Sequence, residues 1–285
     1  MTAVILDGIV LGLQFGLLGV GLTIVYGMGG VLNLAYGSMA VAAAAAVSIT
    51  MRSGLPVVPA ATLGIVIAAG IGLLLNVTIM KAVYRRRGED RVLLSLLLTL
   101  GVAFMIDGFL VWRYPIEALS LSVGGDPVLI LGVPMRTGSL LASAITILAG
   151  VGLILFVRST TSGKAVRSVI QDEVGARLCG VNPAAVRTLI FTLSGALVGL
   201  VAVTRSMTSP VPISAGFEIT ILALLVTVVG GLGSIRGAFL AGLILGMVNA
   251  MSSFYIGAYI TTIILLAAAA FTILLRPSGL FGERT

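Results

Sequence analysis

The chain has 285 residues, of which 59% are hydrophobic and only 9% charged, and its net charge is +7. A water-soluble domain carries roughly a quarter charged residues, so these side chains cannot cover a soluble surface and lipid must be the main solvent. Histidine is absent and Cys179 is the sole cysteine, which excludes intrachain disulfides, cysteine-based metal clusters and histidine acid–base chemistry.

A membrane span needs about 20 mostly apolar residues. Segments near 4–26, 36–51, 58–80, 92–112, 138–157, 188–207, 217–234, 237–255 and 259–275 meet or approach that length, predicting an all-α polytopic bundle of 8–9 spans. The segment 36–51 is short, and its run Ala42–Ala46 suits close helix packing rather than lipid contact. Residues 1–285 read as one membrane domain, multi-pass in a bacterial inner membrane. The first segment lacks a basic flank and a small-residue cleavage site, so it is expected to remain as a span.

Two loops are strongly basic. One holds Lys81, Arg85, Arg86, Arg87 and Arg91; the other holds Arg158, Lys164, Arg167, Arg177 and Arg187. Cytoplasmic loops carry the excess of Lys and Arg, which places both loops inside. Arg236, Arg276 and Arg284 fall on the same side, leaving only Arg52, Arg113, Arg136 and Arg205 outside among the 17 basic residues. The N-terminus is then outside and the C-terminus inside. Positive charge confined to such loops points to the membrane and not to nucleic acid. The largest outer loop, 113–137, carries the turn signal Asp126-Pro127 before the strand-like Val128–Val133, which predicts a small hairpin.

The cytoplasmic segment 158–187 is too long for a tight turn. Thr161-Ser162-Gly163 reads as a helix start. Lys164 to Cys179 then reads as an amphipathic helix with Ala165, Val169, Ala176 and Cys179 toward one side, and Cys179 is expected to be a buried small residue. Gly180 is placed to end that helix, and Asn182-Pro183 to cap the next span. The helix either rests on anionic lipid or docks a partner protein; Asp172 and Glu173 argue against simple lipid attraction.

Four stretches carry a resemblance. They are Gly21–Gly27 running on to Asn33-Leu34-Ala35-Tyr36-Gly37, the segment Ser162–Asn182, Val229–Ala238 with its four glycines, and Arg276–Gly282. Together, in this order, they resemble the branched-chain amino acid ABC transporter permease family. The resemblance implies a membrane-spanning subunit that moves small polar solutes, branched-chain or other amino acids, by ATP-driven alternating access. It implies a homologous second permease subunit, two cytoplasmic ATP-binding subunits and an extracytoplasmic solute-binding protein. No cofactor is expected on this chain, which lacks a G-x-x-x-x-G-K-[ST] phosphate loop, so ATP would be used by the partner subunit. Gly163, Arg167, Gln171, Asp172, Glu173, Arg177 and Gly180 are the expected ATPase-coupling residues.

Gly27-x-Gly29-Gly30 and Gly230-Gly231-x-Gly233 interrupt hydrophobic segments on the cytoplasmic side. Broken helices at membrane depth are tolerated only where protein or a cavity satisfies the backbone; close packing of small residues is the alternative role. Asn33 and Tyr36 follow the first break and are the favoured path residues. Gln14, Thr99, Asn249 and the mid-span carboxylate Asp107 complete the candidate path, and Asn76 could bond between helices. Asp7 and Glu218 read as interfacial. Where relatives usually carry His, Gly and an acid after Asn-Leu-Ala, this chain has Tyr36, Gly37 and Ser38. Asp107 and Glu218 stand where an amide and a basic residue are expected. These changes leave urea or short amides open as solutes. An ion-gradient-driven transporter is the other reading, and it would need buried coupling carboxylates, for which only Asp107 is deep. An enzyme has almost no residues to use, and neither a catalytic nor a metal site is expected.

Overall fold

A computed structural model of the chain describes residues 1–27, 30–86, 88–114, 118–121, 124, 126–130, 132–276 and 279–281. Arg87, Arg284, Gly29, Pro277, Ser278 and Gly282, all used above, lie outside the described residues. The fold is helical. Its helices are α1 (Thr2–Gly27), α2 (Tyr36–Arg52), α3 (Val57–Leu75), α4 (Lys81–Val83), α5 (Glu89–Arg113), α6 (Thr137–Ser159), α7 (Thr161–Gln171), α8 (Glu173–Leu178), α9 (Pro183–Thr208), α10 (Gly216–Gly230), α11 (Ile235–Tyr255) and α12 (Ala258–Leu275). A π-helical turn over Asn76–Met80 joins α3 to α4, so Val57–Val83 reads as one continuous span. Among the described residues eight helices are long and apolar enough to cross a membrane. The predicted ninth, α2, forms with 17 residues.

The buried hub is α1. It is apolar on every side, as a helix surrounded by other helices must be, and it is about 39 Å long at 1.5 Å per residue. It packs most extensively on α11, then on α9, α10 and α6. Small residues make the α1–α11 approach possible. A side-chain carbon on Gly12 would lie 2.9 Å from the Leu243 backbone, and one on Gly246 would lie 2.2 Å from Gly12. This spacing, Gly8-x3-Gly12-x3-Gly16 facing Gly242-x3-Gly246, is the small-xxx-small pattern that lets membrane helices meet backbone to backbone.

The outer loop folds as predicted into an antiparallel hairpin: β2 (Val128–Ile130) pairs with β3 (Val133–Met135). The short strands β1 (Ala118–Leu119) and β4 (Val211–Pro212) pair across the same outer region. Both glycine breaks form on the opposite side. α1 ends at Gly27 and α10 at Gly230, with Gly30, Gly231 and Gly233 at positive φ, a conformation glycine adopts without steric cost. The C-terminal block folds back onto the second break, where Leu280 N–H donates to the Val229 carbonyl at 2.9 Å.

Candidate functional site

The first region of interest is the non-helical stretch between α1 and α2. It runs back into the membrane beside α5. Leu32 N–H donates to Ser95 Oγ at 3.2 Å and Leu34 N–H to Thr99 Oγ1 at 2.9 Å. Thr99 lies ten residues into α5, about 15 Å from its start at Glu89. Therefore α2 begins part-way across the membrane. Its first turn is held by Gly37 N–H donating to Thr220 Oγ1 at 2.9 Å, and Asn33 Oδ1 accepts from Ala35 N–H. Hydroxyls from α5 and α10 thus satisfy backbone that lipid could not, which is the condition for a broken helix at this depth.

The six candidate path residues divide into two groups. Asn33, Tyr36, Gln14 and Thr99 are at most 2% exposed. Gln14 Nε2 donates to the Thr204 carbonyl at 3.3 Å while its Oε1 has no partner. The Tyr36 hydroxyl is buried without a hydrogen bond, at the position where a side chain on Gly21 would stand. Asp107 and Asn249 are only partly buried. Asp107 meets Ser38 and the side-chain-free Gly216 at the start of α10, and Asn249 opens with Asp7 onto an outer groove between α1 and α11. Asn76, in the π turn, donates from Nδ2 to Thr188 Oγ1 at 2.8 Å and ties α3 to α9.

The second region is the segment joining α6 to α9, a handle expected on the cytoplasmic side. It differs from the expected single helix. Thr160 caps α7, its Oγ1 accepting from Gly163 N–H at 2.9 Å. The chain then breaks at Asp172, whose φ of −154° and ψ of 104° are extended. Asp172 Oδ1 accepts from Val174 N–H at 2.9 Å and starts α8. An aspartate at a break supplies the acceptor that the new helix lacks, which is why the predicted helix Lys164–Cys179 splits there. Gly180, at φ +83°, ends α8, and Asn182 Oδ1 caps α9 through Ala184 N–H and Ala185 N–H, both as predicted.

Val166, Val169 and Ala176 turn toward the bundle and are buried. Cys179 does not; it is exposed, because the break at Asp172 rotates α8 out of the register that α7 sets. Three of the seven expected coupling residues anchor the handle. A side chain on Gly163 would strike the Phe156 and Val157 backbone. Arg167 Nη1 donates to the Val157 carbonyl at 2.7 Å. Glu173 accepts from Arg177 Nη2 at 2.7 Å through one oxygen and from Arg187 Nη2 through the other. Gln171, Asp172, Arg177 and Gly180 are exposed.

Arg187 is 8% exposed and its guanidinium lies 3.9 Å from the centre of the Tyr84 ring; Arg91 approaches the same ring at 5.8 Å. Burial pushes the Tyr84 phenol up to about 12, against the pull of the Arg187 and Arg91 guanidiniums. The two basic loops therefore meet around one tyrosine and one glutamate, on one side of the bundle, as the charge pattern requires. The residues that pattern reading missed are apolar. Val174 is 68% and Leu178 86% exposed at the tip of α8. Their signal was two large aliphatic residues in a polar loop outside every span.

Residues 4–276 match the family described as branched-chain amino acid transport system / permease component. The high-affinity branched-chain amino acid transport system permease protein LivH of Salmonella typhimurium is 26% identical over 97% of this chain and 94% of its own length. The corresponding permease protein BraD of Pseudomonas aeruginosa is 27% identical, over 98% and 95%. A probable LivH of Methanocaldococcus jannaschii is 27% identical, over 93% and 88%. Among solved structures, PsaBC from Streptococcus pneumoniae in complex with Fab aligns with 94% of this chain and 89% of that chain, at a TM-score of 0.47 and 14% identity.

Proposed function

This chain belongs to the branched-chain amino acid transport system permease family, and from that premise we propose that it is the membrane-spanning permease subunit of an ABC importer for amino acids in the cell inner membrane. The observation that carries the coupling mechanism is the handle. It joins α6 to α9, is pinned to both by Arg167 and Glu173, and shows Val174 and Leu178 to solvent. An exposed aliphatic tip on a braced cytoplasmic element suits docking to a partner, here an ATP-binding subunit. Motion of that partner would reach α6 and α9 as a rigid-body displacement.

Two such ATPases would serve this chain and a homologous second permease subunit, with a solute-binding protein on the outer side. The ATP stays on the partner, and this chain needs no cofactor of its own. The solute path runs past the break at residues 31–35, where Asn33, Tyr36, Thr99 and Asp107 offer polar groups in an apolar setting. Gln14 and Asn249 extend that polar line along α1 and α11. Gly163, Arg167 and Glu173 act in coupling by holding the handle, while Gln171, Asp172, Arg177 and Gly180 face the ATPase. Co-expression with its ATPase and solute-binding protein, followed by reconstitution, tests the reading. Leucine uptake should require ATP and the binding protein. Uptake by this chain alone, driven by an ion gradient, would replace it with the secondary-transport reading.

A further inference from the structure

A cleft of about 400 Å³ opens on the cytoplasmic half of the bundle, between α6 and α11, with α1 as its floor. Leu17 and Val20 form the floor, Leu153 and Ile154 one wall, Phe239 and Leu240 the other. Gly150 leaves the inner end unfilled, since a side-chain carbon there would meet only Phe239, at 3.6 Å. The wall rims face outward, with Ile154 46% and Leu240 43% exposed, so the cleft opens sideways, where lipid is the solvent. Its mouth differs from its walls. Arg158, at the end of α6, and Arg236, at the start of α11, both line it. Both are exposed, and no aspartate or glutamate lines the cleft. Among the described residues no carboxylate pairs with either guanidinium.

We propose that this cleft binds an anionic glycerophospholipid of the cytoplasmic leaflet, with its phosphate between Arg158 and Arg236 and one acyl chain against Leu17 and Val20. The dimensions agree. From Arg158 to Gly150 is about 12 Å along α6, close to the roughly 15 Å of hydrocarbon in one leaflet. The sign agrees, because basic pockets between helices on the cytoplasmic side select anionic headgroups. The position also matters for coupling. Arg158 adjoins Val157, whose carbonyl accepts from Arg167 and whose backbone lies against Gly163. A bound phosphate would therefore brace the root of the handle against α11, adding a lipid to the elements that hold it.

The test uses the purified full-length chain, delipidated and then titrated with phosphatidylglycerol or phosphatidylcholine of identical acyl chains, read by native mass spectrometry. The wild type should retain one phosphatidylglycerol per chain with about thirtyfold preference, as two basic residues at headgroup level predict. The R158Q/R236Q variant should bind both lipids alike. Gly150→Phe, which leaves the arginines in place, should bind neither. Glycerol phosphate should fail to compete at millimolar concentration, since the acyl chain contributes most of the contact. A wild-type preference below about threefold, an undiminished phosphatidylglycerol preference in the double arginine variant, or competition by glycerol phosphate would each overturn the proposal. So would loss of the site when the second permease subunit is present, which would make the cleft a subunit interface. Monodisperse elution of each variant separates lost binding from lost folding.

Discussion

Glu173→Gln gives a direct measure of what holds the handle. Glu173 bridges Arg177, which is 61% exposed, and Arg187, which is 10% exposed by side chain, while Glu173 itself is 30% exposed. The exposed arm is an i,i+4 pair, worth about 0.3–0.5 kcal/mol. The inner arm is different, because neutralising Glu173 leaves the Arg187 guanidinium confined without its anion. Breaking a fully buried pair costs about 3–5 kcal/mol. Partial exposure of Glu173 brings this toward the 1.5–3 kcal/mol of a hydrogen bond to a charged group, so about 2 kcal/mol is expected. The loss should be local. α8 has six residues and Ala176 is its only buried one among them, so it can open without the bundle unfolding. At 1.4 kcal/mol per tenfold, amide exchange in Val174–Leu178 should accelerate about 30-fold, with α9 amides unchanged. Hydrogen-exchange mass spectrometry in nanodiscs reads both. Acceleration below about threefold, or an equal effect from Arg177→Ala, would refute the assignment of the inner arm as the anchor.

Three further outcomes are expected. Leu178→Asp should reduce co-purification of the ATPase at least tenfold without shifting thermal unfolding of the chain, because burying a leucine is worth about 1.5–3 kcal/mol and this one is exposed when the chain stands alone; unchanged association would remove the apolar tip from the interface. Thr220→Val removes the acceptor for Gly37 N–H at constant shape and should cost about 1–3 kcal/mol in detergent unfolding, whereas Thr78→Val, at an exposed hydroxyl bonded within its own helix, should cost nothing measurable. Tyr84→Phe should be neutral or stabilising at pH 7, since the phenol oxygen has no partner and the ring still faces Arg187. The native phenol titrates above its ordinary value, so its share of stability is complete below about pH 10 and is lost as pH rises toward 12. The variant should lack that alkaline slope in unfolding titrations.

How much of this was legible depended on range. Spans were readable because hydrocarbon thickness sets a length of about 20 apolar residues, and both helix ends at Gly180 and Asn182-Pro183 were readable because caps are local chemistry. The break at Asp172 was not, since an aspartate within an amphipathic period reads equally well as a solvated surface residue. Its effect on Cys179 followed from that miss. The support for residues 31–35 comes from Ser95, Thr99 and Thr220, up to 186 positions away. No periodicity links them. The pairing of Glu173 with Arg187 spans 14 residues and a turn, so charge counting placed both on one side without joining them. Of the candidate path, the sequence pointed to the break, but burial of Asn33, Tyr36, Gln14 and Thr99 depends on which helices close over them.

The exposed thiol of Cys179 makes this chain its own single-site reporter. With one cysteine per chain, located at the end of α8 beside Leu178, a maleimide dye attaches at one defined point without any substitution. A membrane-impermeant reagent applied to each side in turn would test the expected cytoplasmic placement of this segment, and its competition with an ATP-binding subunit would test the proposed docking. In a symmetric pair of such chains, two spin labels at this position would read the proposed displacement of the handle as a change of one interspin distance.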